Sequence, residues 1–191
     1  SETSPAAELG KAVHAELEAY LKGETAKDEL SAIAQAGLKN IPFPSEVDPD
    51  NVEKVFKLCH ADLPVRINGI IDLVLDTDAG LEVIDHKTAS RFQYAKTPEE
   101  LAHDVQAVIY SYYGLMTHTE REEVTFRHVY YRTKGPKSIV REVVFTREEL
   151  EQKFEEIVAV VNDMQDVSRL ELEAVPVNTS CMNRTGRCSC C

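Results

Sequence analysis

Apolar residues change period several times along the chain. Leu9, Val13, Leu17, Tyr20 and Leu21 recur at the three- and four-residue spacing of an amphipathic helix. Ser4 with Pro5 supplies its N-cap and first-turn proline, and Gly23 its stop after Lys22. A second, shorter helix is predicted over 27–38, and residues 41–50, with Pro42, Pro44 and Pro49, read as a loop. From residue 65 the pattern turns to strands. Residues 70–75 are almost continuously apolar, 76–80 form a turn and 81–87 complete a hairpin with a buried first strand. Thr97, Pro98, Glu99 and Glu100 form a capping box that opens a helix running to about residue 116. Residues 124–132 and 138–145 read as two more strands, joined by Thr133, Lys134, Gly135, Pro136 and Lys137. Thr146 and Glu149 form a second capping box, ahead of a long helix with Leu150, Phe154, Ile157, Val161 and Met164 on one face.

Helices before, between and after strand pairs predict an α/β fold with a mixed central sheet flanked by helices. With 191 residues, one domain is expected, drawn here as 1–174 with a Cys-rich tail at 175–191. The longest apolar run, Ile157 to Val161, is far short of a membrane span, so no membrane partner is expected. Ser1 to Gly10 lack the basic-then-apolar order of a secretory signal, and the expectation is a cytoplasmic, reducing location. Four of the five cysteines, Cys181, Cys188, Cys190 and Cys191, crowd the tail, a spacing that suits a metal site better than a disulfide framework. Cys59 stands apart and reads as a buried or partly buried free thiol. The net charge of −12 argues against bulk electrostatic coating of nucleic acid and requires any polyanion to find a locally basic groove.

The chemistry gathers around the hairpin. Asp72 interrupts the apolar run Ile70, Ile71, Leu73, Val74, where a carboxylate needs a partner or a cation. Thirteen residues on come Asp85, His86 and Lys87, and a period of two places Asp85 and Lys87 on one face. A hairpin can bring Asp72 and Asp85 together. Paired carboxylates either raise one pKa or recruit a hard cation such as Mg²⁺, and a nearby lysine can orient water or stabilise charge on a phosphate oxygen. The competing reading is a strand-end ion pair of Lys87 with Asp72 or Asp85. Gln106 and Tyr110 lie one helical turn apart and project from one face; Gly10 and His14 are also one turn apart, so the histidine sits over a position with no side chain.

Taken in order, Gly10 with His14, Gly69-Ile70-Ile71-Asp72, Asp85-His86-Lys87, Gln106 with Tyr110 and the late cysteines resemble the RecB-like branch of the PD-(D/E)XK nuclease superfamily. That branch includes phage exonucleases, Cas4-like proteins and the nuclease domains of recombination helicases. The resemblance implies a restriction-endonuclease-like core and a Mg²⁺- or Mn²⁺-dependent deoxyribonuclease, most simply an exonuclease on linear DNA ends. It implies that His14, Asp72 and Asp85 hold the metal, with the His86 carbonyl a further ligand, and that Lys87 positions the attacking water. Gln106 and Tyr110 would hold the DNA strand without reading sequence. Ile71 stands where the superfamily is named for proline, and Asp85 where glutamate is commoner. The tail cysteines suit a [4Fe–4S] cluster or a zinc ion, with free thiols the alternative; no cysteine precedes His14 to complete the pattern of many iron–sulfur members.

A basic stretch answers the charge objection. Between Phe126 and Arg141 lie Arg127, Arg132, Lys134 and Lys137, no acidic residue, and Tyr130 and Tyr131. That composition suits a cationic hairpin with stacking rings for single-stranded nucleic acid, or equally an exposed hairpin kept soluble by its charges. Arg91 and Lys96 extend the same rim. Two rivals to an autonomous nuclease are a non-catalytic DNA-binding adaptor on the same fold and a Cas4-like subunit active only with recombination or CRISPR partner proteins.

Overall fold

The computed structural model describes residues 4–168. Five strands form one sheet in chain order: β1 (Val52–Leu58), β2 (Ile67–Thr77), β3 (Gly80–Ala89), β4 (Glu123–Arg132) and β5 (Ser138–Thr146). Neighbours are antiparallel except β3 and β4, which are parallel. A parallel pair needs a crossover, and α3 (Pro98–Leu101) with α4 (Val105–Thr117) supplies it. The mixed sheet flanked by helices is the expected class.

Both faces of the sheet are covered. On one, Phe56, Ile71, Val83 and Phe126 pack with Val108 and Leu115 of α4 and with Leu150 and Phe154 of α5 (Arg147–Ser168). On the other, Val52, Leu73, Ile84, Val129 and Tyr131 meet Val13, Leu17 and Leu21 of α1 (Pro5–Leu21) and Ala34 of the short α2 (Ala32–Gln35). Each such buried side chain is worth about 1.5–3 kcal/mol. Capping holds the helix ends as read: Ser4 accepts from the Ala7 N–H, and the Thr97–Glu100 and Thr146–Glu149 boxes are both closed.

Four expectations need correction. The stretch 27–38 is not one helix but a 3-10 turn at Lys27–Glu29 followed by α2, because Ser31 starts the second piece by capping Ala34. The helix from 98 breaks at Ala102–Asp104, where Asp104 accepts from the Ala107 N–H and caps α4 afresh. Leu9 lies outside the buried stripe, and Cys59 is exposed rather than buried. Strand β1 is an addition that no periodicity in the sequence announces.

Candidate active site

The site forms where the sheet's ladder fails. Strands β2 and β3 pair from Thr77–Gly80 as far as Leu73–Ile84 and then part. Asp72 fills the opening, its Oδ2 accepting the His86 N–H at 2.6 Å. On the other side, Val52 pairs with Leu73 and Lys54 with Ile71, leaving Glu53 and Asp72 opposite but unpaired. Glu53 has φ of 50°, a left-handed conformation costly for a residue with a side chain. The alternation of both strands breaks there: Val52 and Leu73 join the α1 layer, whereas Phe56 and Ile71 join the α4–α5 layer.

Helix α1 brings His14 over this break. Its Nδ1 lies 3.6 Å from Asp72 Oδ2. Gly10, one turn earlier, permits the approach, since a Cβ there would already press on Thr88 Oγ1 of β3 at 3.1 Å. One ligand atom each from His14, Glu53 and Asp72 fall within 4.8 Å of one another. Glu53 is a candidate ligand that sequence reasoning misses.

Asp85, Lys87 and Gln106 make the second half of the site. Lys87 Nζ is 2.8 Å from Asp85 Oδ2 and donates to Gln106 Oε1 at 3.0 Å, while Gln106 Nε2 donates to Asp85 Oδ1 at 3.2 Å. The amide therefore closes a triangle with the carboxylate and the ammonium, and its expected role as a DNA contact is joined by this internal one. Tyr110, a turn along α4, sets its ring edge-on to Phe56 at 5.6 Å. Phe56 in turn lies across Gly69, its register partner, where a methyl group would overlap the phenyl ring.

Electrostatics divide the two carboxylates. Burial pulls Asp72 upward, but the His14 imidazole 3.6 Å away, the His86 ring and the His86 amide outweigh that and hold it below the usual carboxylate range. Asp85, 3% exposed, is pushed up to about 6 by burial and then by the Asp72 charge. The Asp72 carboxylate 3.6 Å away raises His14 above the ordinary histidine value despite partial burial. Burial works against the Lys87 charge, yet the Asp85 carboxylate more than restores it, so Lys87 stays an ammonium. Glu53 is raised by burial and by Asp72. Hard oxygen donors with one imidazole, in a pocket of excess negative charge, are a donor set that fits Mg²⁺ or Mn²⁺.

The family model described as the PD-(D/E)XK nuclease superfamily matches residues 42–191. The chain belongs to that superfamily. Its restriction-endonuclease-like core is the five-stranded sheet described above, and Asp72, Asp85, His86 and Lys87 lie within the matched range. Nucleases of the superfamily work with divalent metals on DNA. His14 lies outside the matched range and joins the site through the packing of α1. No curated protein matches the chain. Fourteen solved chains do, among them the crystal structure of SSO0001, at 17% identity and a TM-score of 0.42 over 82% of this chain. The chain spans 61% of the length of that protein.

The other candidates sort differently. The His86 side chain points away from Asp85, buried between His14 and Tyr131, whose hydroxyl is 3.2 Å from His86 Nδ1. Arg127 is not part of an open cationic strip, because Glu82 at 2.9 Å and Glu142 at 3.1 Å on the neighbouring strands neutralise it. Tyr130 and Tyr131 are buried and offer no face for a base to stack on. Arg132 lies over the Phe92 ring and bonds the Gly135 carbonyl; Lys134 and Lys137 are exposed at the hairpin tip. Arg91 is exposed, while Lys96 is paired with Asp104. Cys181, Cys188, Cys190 and Cys191 lie outside the described residues. No described helix is long and apolar enough to cross a membrane.

Proposed function

We propose that the protein is a Mg²⁺- or Mn²⁺-dependent deoxyribonuclease of the RecB-like branch, acting as an exonuclease on linear DNA ends in cytoplasmic DNA processing. The observation that carries this reading is a lysine kept charged beside a buried carboxylate, next to an acidic–imidazole cluster at the opening of the β2–β3 ladder. His14, Glu53 and Asp72 would hold the cation, with Asp85 and the His86 carbonyl completing the set. When bound, such a cation stabilises charge on the phosphate and lowers the pKa of water.

The chain's own groups do the rest. Lys87, as an ammonium, donates to a phosphate oxygen or to the attacking water rather than taking its proton. Gln106 fixes the distance between Lys87 and Asp85, and Tyr110 presents a hydroxyl beside them for the sugar–phosphate backbone. Lys134, Lys137 and Arg132 at the β4–β5 hairpin extend the contact with DNA, in keeping with a term that is independent of sequence. The net charge of −12 favours a variant of the reading in which a recombination or CRISPR partner supplies further cations.

The test is cleavage of end-labelled linear and circular DNA, single- and double-stranded, with Mg²⁺, Mn²⁺ or EDTA. Metal-dependent loss of linear DNA is expected, and Lys87→Ala should lower the rate about 10²–10³-fold while DNA binding persists. Equal loss of binding and cleavage in Lys87→Ala would contradict the assigned role. A folded, metal-loaded protein that binds DNA without cutting it, alone or with partners, is instead a DNA-binding adaptor.

A further inference from the structure

Beside Asp85, on the same face of the sheet as Lys87, a chain of buried polar groups leads along the next strand. His128 on β4 is the register partner of Asp85 and is 1% exposed. Its Nε2 lies 3.4 Å from Asp85 Oδ2 and, among the described residues, has no hydrogen-bond partner of good geometry. Its Nδ1 is 3.1 Å from the hydroxyl of Tyr130, two residues along the strand. That hydroxyl already accepts the backbone N–H of Lys96 at 3.0 Å. With the amide donating to the phenol oxygen, the phenol proton is free to point at His128 Nδ1. Neutral imidazole then carries its own proton on Nε2, aimed at the carboxylate. The Phe126 ring, edge-on to the imidazole at 5.0 Å, packs against it from within the core.

We propose that His128 is a positioning residue for Asp85, holding its Oδ2 through an Nε2–H···O contact that is directed by Tyr130 and the Lys96 amide. The inference rests on the metal-nuclease reading, in which Asp85 is a ligand. A ligating carboxylate is oriented by the donors behind it, and loss of such a donor typically weakens metal binding or activity 10–100-fold. Asp85 has Gln106 on Oδ1 and Lys87 on Oδ2 at the open side. His128 approaches the same Oδ2 from the neighbouring strand, so the carboxylate is flanked by a buried group as well as by those of the cleft. The neighbouring strand is thereby part of the active-site scaffold, and the loop that carries Lys96 between β3 and α3 is tied to it through one hydrogen bond.

Two measurements test this. Long-range ¹H–¹⁵N correlation spectra of the metal-free wild-type protein report the ring tautomer, and the Nε2–H form is expected for His128; an Nδ1–H or doubly protonated ring overturns the proposal. Calorimetric titration with Mn²⁺ then compares wild type, His128→Asn, whose amide reaches only to the Nδ1 position, and His128→Gln, whose amide reaches the Nε2 position. We expect His128→Asn to weaken Mn²⁺ binding about tenfold and to lower kcat at unchanged KM for DNA, with His128→Gln restoring both to within about threefold. Equal Mn²⁺ affinity in the three folded proteins, or a glutamine variant as impaired as the asparagine one, overturns the positioning role. If His128→Asn does not fold, the tautomer and the glutamine variant still decide. A wild type that binds no Mn²⁺ at all would sink the nuclease reading instead, and the tautomer alone would then show whether the hydrogen-bond chain runs in the stated direction.

Discussion

Glu53 couples backbone strain to the proposed metal site, and its replacement by glycine should separate the two. A side chain in the left-handed region costs about 1–2 kcal/mol, and Glu53 has φ of 50°. Without metal it also faces the Asp72 charge, which raises its pKa together with burial. Glu53→Gly removes both penalties and adds the glycine entropy cost of about 0.5–1 kcal/mol. The metal-free variant should thus be more stable than wild type by about 0.5–1 kcal/mol. With metal the order should invert. At a concentration one hundred times its Kd, a ligand stabilises wild type by about 2.7 kcal/mol, whereas a variant binding tenfold more weakly gains only about 1.4 kcal/mol.

The assay is urea unfolding in EDTA and in Mn²⁺ at that fixed concentration, with Glu53→Gln as the control that keeps the side-chain size and the backbone strain. The glutamine variant should lose the same metal increment without the full gain in EDTA. A glycine variant less stable than wild type in EDTA would refute the strain argument. An unchanged metal increment in both variants would remove Glu53 from the ligand set and leave its conformation without a functional cause.

Two further outcomes follow from the same structure. His86 and His128 are both depressed to about 4 by burial, so each favours folding fully above its unfolded value near 6.5 and loses that contribution as the pH falls from 6.5 towards 4. Asp85, raised to about 6, and His14, raised by Asp72, work in the opposite direction, so metal-free protein should lose a net of about 1–2 kcal/mol between pH 7 and pH 5 in urea titrations; stability that rises over this range would contradict two neutral buried imidazoles. Arg147 Nη2 lies within 3.4 Å of the carbonyls of Leu115, His118, Thr119 and Arg121 at the end of α4. Arg147→Ala should therefore lower stability by about 1–2 kcal/mol, read as a fall of about 2–8 °C in Tm, with kcat unchanged at 25 °C.

What the sequence discloses depends on whether a residue's signal is local. Asp72, Asp85 and Lys87 stand out because charge is costly in strands as apolar as β2 and β3, and the hairpin between Thr77 and Gly80 that joins them is short. Glu53 hides because its strand does not alternate: Val52 and Phe56 face opposite layers, and Val55 between them is exposed, so no period of two marks β1. The residue that breaks the pattern is the one placed against Asp72. Strand β4 misleads for the opposite reason. It is covered on both faces, so Val129, Tyr130 and Tyr131 are all buried in succession, and a run of basic and aromatic residues that reads as an exposed nucleic-acid surface is largely interior. Its charges are answered by residues remote in sequence, Arg127 by Glu82 and Glu142, and no count along one segment can register partners supplied by neighbouring strands. His128 is subject to the same blindness. Nothing in its neighbours along the chain singles it out, and only the parallel register of β3 and β4 sets it beside Asp85. The motif residues are therefore legible one by one, whereas the groups that hold them in place are defined by strand register, which is a property of the folded sheet.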